Sequence, residues 1–171
     1  MLQLRDLPTT ETLKKFASRY PEADVTAIST FLHLLRVATD LSVALDECLS
    51  RHGLLQGRWW VLILLMREST LTATPSSLAD KVGIARASMT GLIDGLERDG
   101  LVERLFDVND RRSVSIHLTE SGQSKLDIVM PDYYNRLRLC MAGLDEKNRG
   151  QLSEMLELID AGVAEFTKSK F

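Results

Sequence analysis

Thr74-Pro75-Ser76-Ser77-Leu78-Ala79-Asp80-Lys81-Val82-Gly83-Ile84-Ala85-Arg86-Ala87-Ser88-Met89-Thr90 is the stretch whose reading decides the fold. Thr74 is an N-cap residue, and Pro75 suits the first helical position, where its missing N–H costs nothing. Leu78, Ala79 and Val82 turn inward, and Gly83 closes a short helix. Ile84 and Ala85 complete a tight turn. A second helix then runs from about Arg86 to Asp99 and stops at Gly100, with Met89, Leu92, Ile93 and Leu96 as its buried stripe. Two helices joined by a short turn containing glycine form a helix-turn-helix.

The period changes downstream. Leu101, Val102, Leu105 and Phe106 read as a strand, and Asp107 to Arg112 as a polar turn. Ser113 to Leu118 then alternates, apolar at Val114, Ile116 and Leu118. A two-stranded hairpin directly after the second helix is a wing. Upstream, residues 1–20 read as an arm with a short helix from about Glu11 to Ser18, and Asp24 as the next N-cap. A helical pattern from Val25 to His52 repeats apolar residues every three or four positions (Ile28, Phe31, Leu32, Leu35, Ala38, Leu41, Leu45, Leu49). A helix of that span is roughly 42 Å long, more than a compact domain of this size needs, and suits extension into a second subunit. Arg58 to Arg67 is apolar on nearly every side and reads as a central buried helix, with a buried strand as the competing reading. Thr119 caps a further helix through Leu126, Val129, Tyr133, Leu137 and Cys140, which Pro131 should kink or break. Asp145 caps a last helix with Leu152, Met155, Leu156, Ile159, Val163 and Phe166 on one face. The expected class is mainly α with a small β-hairpin wing. It divides into an arm and long helix at 1–52, a winged domain at 53–122 (helix-turn-helix about 75–99, wing about 101–118) and C-terminal helices at 123–171.

A recognition helix keeps one face for the core and offers the other to the major groove. Arg86, Ala87, Ser88, Thr90, Gly91 and Asp94 lie opposite the apolar stripe. Small side chains let the helix approach. Ser88 and Thr90 suit bases or phosphates, and Arg86 suits bidentate contact with guanine or phosphate. Ser76 and Ser77 join this set from the first helix. At the wing tip Arg111 and Arg112 are placed for a minor groove, and Asp110 orients an arginine or caps the turn. Composition adds nothing. The 171-residue chain carries a net charge of −3. Over residues 76–118 six basic residues (Lys81, Arg86, Arg98, Arg104, Arg111, Arg112) face seven acids (Asp80, Asp94, Glu97, Asp99, Glu103, Asp107, Asp110). Affinity would come from a few placed contacts, doubled by dimerisation.

Several classes are disfavoured. The longest apolar run, Trp59 to Met66, falls far short of the roughly 20 residues that span a bilayer, and the first residues do not read as a secretory signal. A cytoplasmic, membrane-independent protein is expected. Cys48 and Cys140 are well separated and read as ordinary core thiols. His33, His52 and His117 are scattered, so no metal site is expected. The Asp107-Val108-Asn109 run departs from a calcium loop at Arg111, Arg112 and Leu118. No cofactor is called for, and none of the P-loop, GxSxG, HExxH or strand–GxGxxG–helix patterns of common enzyme classes is present. The alternatives are a thiol-based redox-responsive regulator and a dimeric protein-interaction module that does not use DNA.

The segment resembles the MarR family of transcriptional regulators. Asp110-Arg111-Arg112-Ser113-Val114 followed by Leu118-Thr119-Glu120-Ser121-Gly122 is similar to that family's wing and the helix start after it. Leu96-Glu97-Arg98-Asp99-Gly100-Leu101-Val102-Glu103-Arg104 resembles its exit from the recognition helix, and Ser77-Leu78-Ala79 completes the match across 76–122. The arm Leu13-Lys14-Lys15-Phe16-Ala17-Ser18-Arg19 and the proline after the wing resemble the branch that represses multidrug-efflux pumps. Gly91 stands where many members carry arginine. The resemblance implies a homodimer built from the first and last helices, a pseudo-palindromic double-stranded operator, and repression. It also implies release by a small aromatic or phenolic ligand bound between the dimer helices and the winged domain. Candidate lining residues are His33, Arg36, Trp59, Trp60, Met66, Tyr133 and Tyr134.

Overall fold

A computed structural model describes residues 6–106 and 114–168. In chain order the elements are α1 (Thr10–Arg19), α2 (Val25–Ser50), α3 (Gln56–Met66), β1 (Thr72–Ala73), α4 (Pro75–Val82), α5 (Arg86–Arg98), β2 (Val102–Phe106), β3 (Val114–Leu118), α6 (Glu120–Cys140) and α7 (Glu146–Lys168). The protein is mostly helical with one small antiparallel sheet, as the sequence pattern predicts. Packing divides it into two units, one through Val129 and one from Met130 onward.

In the first unit the helix ends obey their local chemistry. Asp24 caps α2 by accepting from Thr26 N at 2.8 Å and Ala27 N at 3.0 Å. The Thr26 hydroxyl and these two amides hold the Asp24 carboxyl below its ordinary range. α2 ends at Ser50, and a turn through Gly53 (φ +68°) redirects the chain into α3. α3 is a helix, not a strand, and buries Trp59, Val61, Leu62, Leu64 and Leu65. Around it pack Leu49, Leu54, Leu78, Met89, Ile93, Leu96, Val102, Ile116, Leu118 and Leu126, each at most 2 % exposed. By length and apolar content α2 would suffice to cross a bilayer (mean hydropathy 1.3). Counting consecutive apolar residues passes over it, because polar positions such as Arg36 and Asp40, an ion pair at 2.7 Å, interrupt the run.

The sheet holds three strands, in the order β1-β3-β2. β2 pairs with β3 from Val102↔Leu118 to Phe106↔Val114, the antiparallel strand pair expected of the wing, while its turn at 107–112 lies outside the described residues. β1 was not foreseen. Its two residues pair with β3 through Thr72↔His117 and Ala73↔Ile116, and a strand that short carries no period of its own. Of the two outcomes expected at Pro131, a kink or a break, the break does not occur: α6 runs through Pro131 as one helical span. The residue four back, Asp127, is exposed, so the carbonyl that loses its helical donor lies on the solvent side.

The second unit contains the rest of α6 and α7. Asp145 caps α7 by accepting from Asn148 N at 2.7 Å. Leu152, Met155, Leu156, Ile159, Val163 and Phe166 are all exposed within the single chain. Cys48 is buried, as expected, but Cys140 is exposed and is not a core thiol. The apolar positions beside it, such as Leu137 and Leu139, are exposed as well.

Candidate nucleic-acid interface

The helix-turn-helix is set by its ends. Thr74 Oγ1 accepts from Ser77 N at 3.2 Å, with Pro75 in the first turn. Gly83 takes the left-handed conformation (φ +75°), and Gly83 N and Ile84 N both donate to Ala79 O, at 2.9 and 3.1 Å. That closure delivers the chain into α5. Ala85 is the N-cap of α5 and supplies no side-chain oxygen, so the first amides of the helix are left for an outside acceptor.

α5 is two-faced. Met89, Ile93, Gly95 and Leu96 are buried, while Arg86, Ala87, Ser88, Thr90, Gly91 and Asp94 are exposed. Ser76 is exposed and Ser77 half-buried at the start of α4. Thr90 Oγ1 donates to Arg86 O at 3.1 Å. A β-carbon added at Gly91 would meet nothing within 4 Å. Asp110, Arg111 and Arg112 lie outside the described residues.

The ion pairs resolve the charge balance noted above. Arg104 of β2 donates to Asp94 and Glu97 of α5, and those carboxylates hold its guanidinium firmly charged. Arg58 of α3 donates to Asp99 Oδ2 at 2.7 Å. Three acids of the α5 region thus spend their charge on arginines of neighbouring elements. Arg86 has no acidic partner among the described residues. Sequence reading missed these pairs because Arg58 and Asp99 are 41 positions apart, and no local spacing announces that contact.

The ligand candidates are placed as follows. His33 is exposed on α2, its Nδ1 2.9 Å from Ser29 O, and Arg36 pairs with Asp40. Trp59 lies in the core and Trp60 is 37 % exposed, their rings tilted with centroids 4.7 Å apart. Met66 ends α3 at the surface. Tyr133 and Tyr134 belong to the second unit, with centroids 5.4 Å apart. A cleft of about 320 Å³ in the first unit is lined by other residues, Leu64, Arg67, Glu68 and Lys81. Lys81 Nζ donates to Glu68 Oε1 there at 2.6 Å and holds that carboxyl below its ordinary range.

The α4–α5 pair with its three-stranded sheet defines a winged helix-turn-helix protein. Residues 56–114 match the MarR family. A repressor of a homoprotocatechuate degradative operon in Escherichia coli is 32 % identical over 107 residues, 63 % of this chain and 71 % of that protein. The Bacillus subtilis transcriptional repressor YetL is 27 % identical over 155 residues, covering 91 % and 93 % of the two chains. Among solved structures, Sco3205, a MarR-family regulator from Streptomyces coelicolor in complex with DNA, superposes with a TM-score of 0.68 at 21 % identity, covering 92 % and 91 %. The chain belongs to the MarR family and is a DNA-binding transcriptional regulator.

Proposed function

We propose that this protein is a homodimeric, cytoplasmic repressor that occupies a pseudo-palindromic operator and is released by a small aromatic or phenolic ligand. The observation that carries the DNA reading is the exposed face of α5, small and polar around an Arg86 that has no acidic partner among the described residues, on a helix whose first amides lack a side-chain cap. Ser76, Ser77, Arg86, Ala87, Ser88 and Thr90 contact the duplex, and Arg111 and Arg112, oriented by Asp110, reach the adjacent minor groove. Residues 53–122 form the DNA-binding domain. Segments 1–52 and 123–171 pair two copies, a role supported by the exposed Leu35, Leu41, Leu152, Leu156 and Ile159 of α2 and α7. Two-fold symmetry then sets the recognition helices about 34 Å apart, one DNA turn.

The test is a mobility shift and footprint on the region upstream of the protein's own gene. The expected footprint has two protected half-sites about 10 base pairs apart, centre to centre. No shift at low salt with any neighbouring promoter would reject the reading.

The ligand is the finer part. Repression of a degradative operon for homoprotocatechuate, a phenolic acid, by a relative is consistent with a phenolic effector, and Trp60, Tyr133, Tyr134, Arg36 and His33 supply rings and donors for one. Ligand must favour the domain spacing that does not fit DNA, or it shifts nothing. A thermal-shift series with salicylate-like acids should raise Tm for at least one compound, which should also lower operator affinity. A flat series across phenolic acids would remove the effector.

A further inference from the structure

The first turn of α3 touches two other helices at once. Leu55, its N-cap, has no side-chain oxygen, and the Asp46 carboxylate of α2 takes over the cap by accepting from Gln56 N at 3.2 Å. Gln56 Oε1 in turn accepts from Ser42 Oγ of α2 at 3.0 Å. The next residue faces α5: a β-carbon at Gly57 would lie 3.2 Å from Leu92 Cδ2. Arg58 reaches further along α5. Its guanidinium lies against buried Gly95, where an added β-carbon would come within 2.7 Å of Arg58 Cζ, and its Nη1 donates to Asp99 Oδ2.

Three consecutive residues therefore tie the long helix α2 to the middle and the end of α5. The contacts are of kinds that fix geometry. Hydrogen bonds are directional, and the Leu92 and Arg58 side chains fill the space over Gly57 and Gly95. The Arg58 side chain is 22 % exposed, so its ion pair with Asp99 is partly shielded from water. Gly95 lies nine positions from Arg86, half a turn round α5, so Arg58 acts from the side opposite Arg86; Ser88 shares the side of Gly95 but lies two turns, about 10 Å, nearer the start of the helix.

We propose that Gln56–Arg58 is the positioning element that sets the orientation of α5 relative to α2, and that Arg58 is a positioning residue for operator discrimination which does not itself touch DNA. Base-edge readout requires placement within about half an ångström. A small rotation of α5 therefore removes sequence discrimination while leaving phosphate attraction intact. The proposal rests on the reading of α5 as the recognition helix.

The experiment uses the full-length protein. A random duplex pool is enriched on the wild type, and the selected duplex and a scrambled one are then titrated with wild type, Arg58→Ala, Arg58→Lys and Asp99→Asn. Active fraction is measured by stoichiometric titration, and the salt dependence of binding is recorded. Arg58→Ala is expected to weaken binding to the selected duplex on the order of tenfold. Its affinity for the scrambled duplex and its salt slope should stay at wild-type values, Arg58→Lys should recover part of the loss, and Asp99→Asn should show the same selective loss. An unchanged selected-to-scrambled ratio, with only a lower active fraction or Tm, would reduce Arg58 to a stabilising residue and overturn the proposal. A parallel loss on both duplexes with a shallower salt slope would make it a phosphate contact and overturn it too. If the wild type enriches no duplex, the DNA reading falls and takes this one with it. Should Arg58→Ala fail to fold, the lysine and asparagine variants decide by the same ratio.

Discussion

Arg86→Ala should weaken operator binding by about 2–6 kcal/mol per dimer, because a good bidentate contact contributes about 1–3 kcal/mol and two copies bind. That is at least a 30-fold rise in Kd by about 1.4 kcal/mol per decade. The size follows from how few free cations surround α5 among the described residues. Arg58 and Arg104, the arginines flanking α5 from α3 and β2, are committed to Asp99, Asp94 and Glu97. Gly91 offers no side chain where a second cation would reach the groove. Arg86 itself is exposed and without an acidic partner among the described residues, so truncation should leave stability within about 0.5 kcal/mol. Fluorescence anisotropy over a salt series separates two modes. If Arg86 reads guanine, Arg86→Lys keeps non-specific binding and loses discrimination at one base pair of each half-site. If it holds a phosphate, the alanine variant weakens all sequences alike and lowers the salt slope by about one per copy. Wild-type affinity in the alanine variant would remove α5 from the interface.

What the sequence made legible was what local chemistry encodes. Thr74-Pro75 and Gly83 mark the ends of α4 because a cap oxygen, a missing N–H and a left-handed φ each act within a turn. The strict alternation of Val114, Ile116 and Leu118 marks β3 because one of its faces is buried. β1 stayed hidden because two residues cannot display a period. Pro131 does not break α6, because a proline is tolerated inside a helix where the orphaned carbonyl lies toward solvent. Cys140 misled because its helical face is apolar, and pattern alone does not say whether such a face is covered by the same chain. The candidate site divides the same way. The polar face of α5 was readable from its own period. The arginines that neutralise Asp94, Glu97 and Asp99 were not, because they arrive from α3 and β2 through tertiary packing. A near-balance of six bases and seven acids over residues 76–118 thus concealed that Asp94, Glu97 and Asp99 are already paired.

Gly122→Ala is expected to cost about 2 kcal/mol or more of stability, the upper part of the range for overpacking. A β-carbon there would press on the carbonyl oxygen of Leu101 and lie 2.6 Å from Leu118 Cδ1. Neither neighbour yields easily. Leu101 O accepts from Thr119 N at 3.2 Å, and Leu118 is fully buried. Thr119 fastens the junction further, since its hydroxyl donates to Gly100 O at 2.8 Å and accepts from Gly122 N at 3.0 Å. The start of α6 is thereby seated on the turn between α5 and β2, and room for it exists only because residue 122 has no side chain. For a chain of this size, 2 kcal/mol corresponds to a Tm lowered by roughly 4–8 °C. Gly91→Ala is the matched control. It makes the same chemical change inside another helix, where the new methyl meets nothing within 4 Å. Relief of glycine's helical penalty should there raise stability by about 0.5–1 kcal/mol. Thermal melts of the two variants beside the wild type should thus move in opposite directions. Matching shifts would mean that helix propensity outweighs the contact at Leu101, and the packing of α6 against the wing's base would then not depend on the glycine.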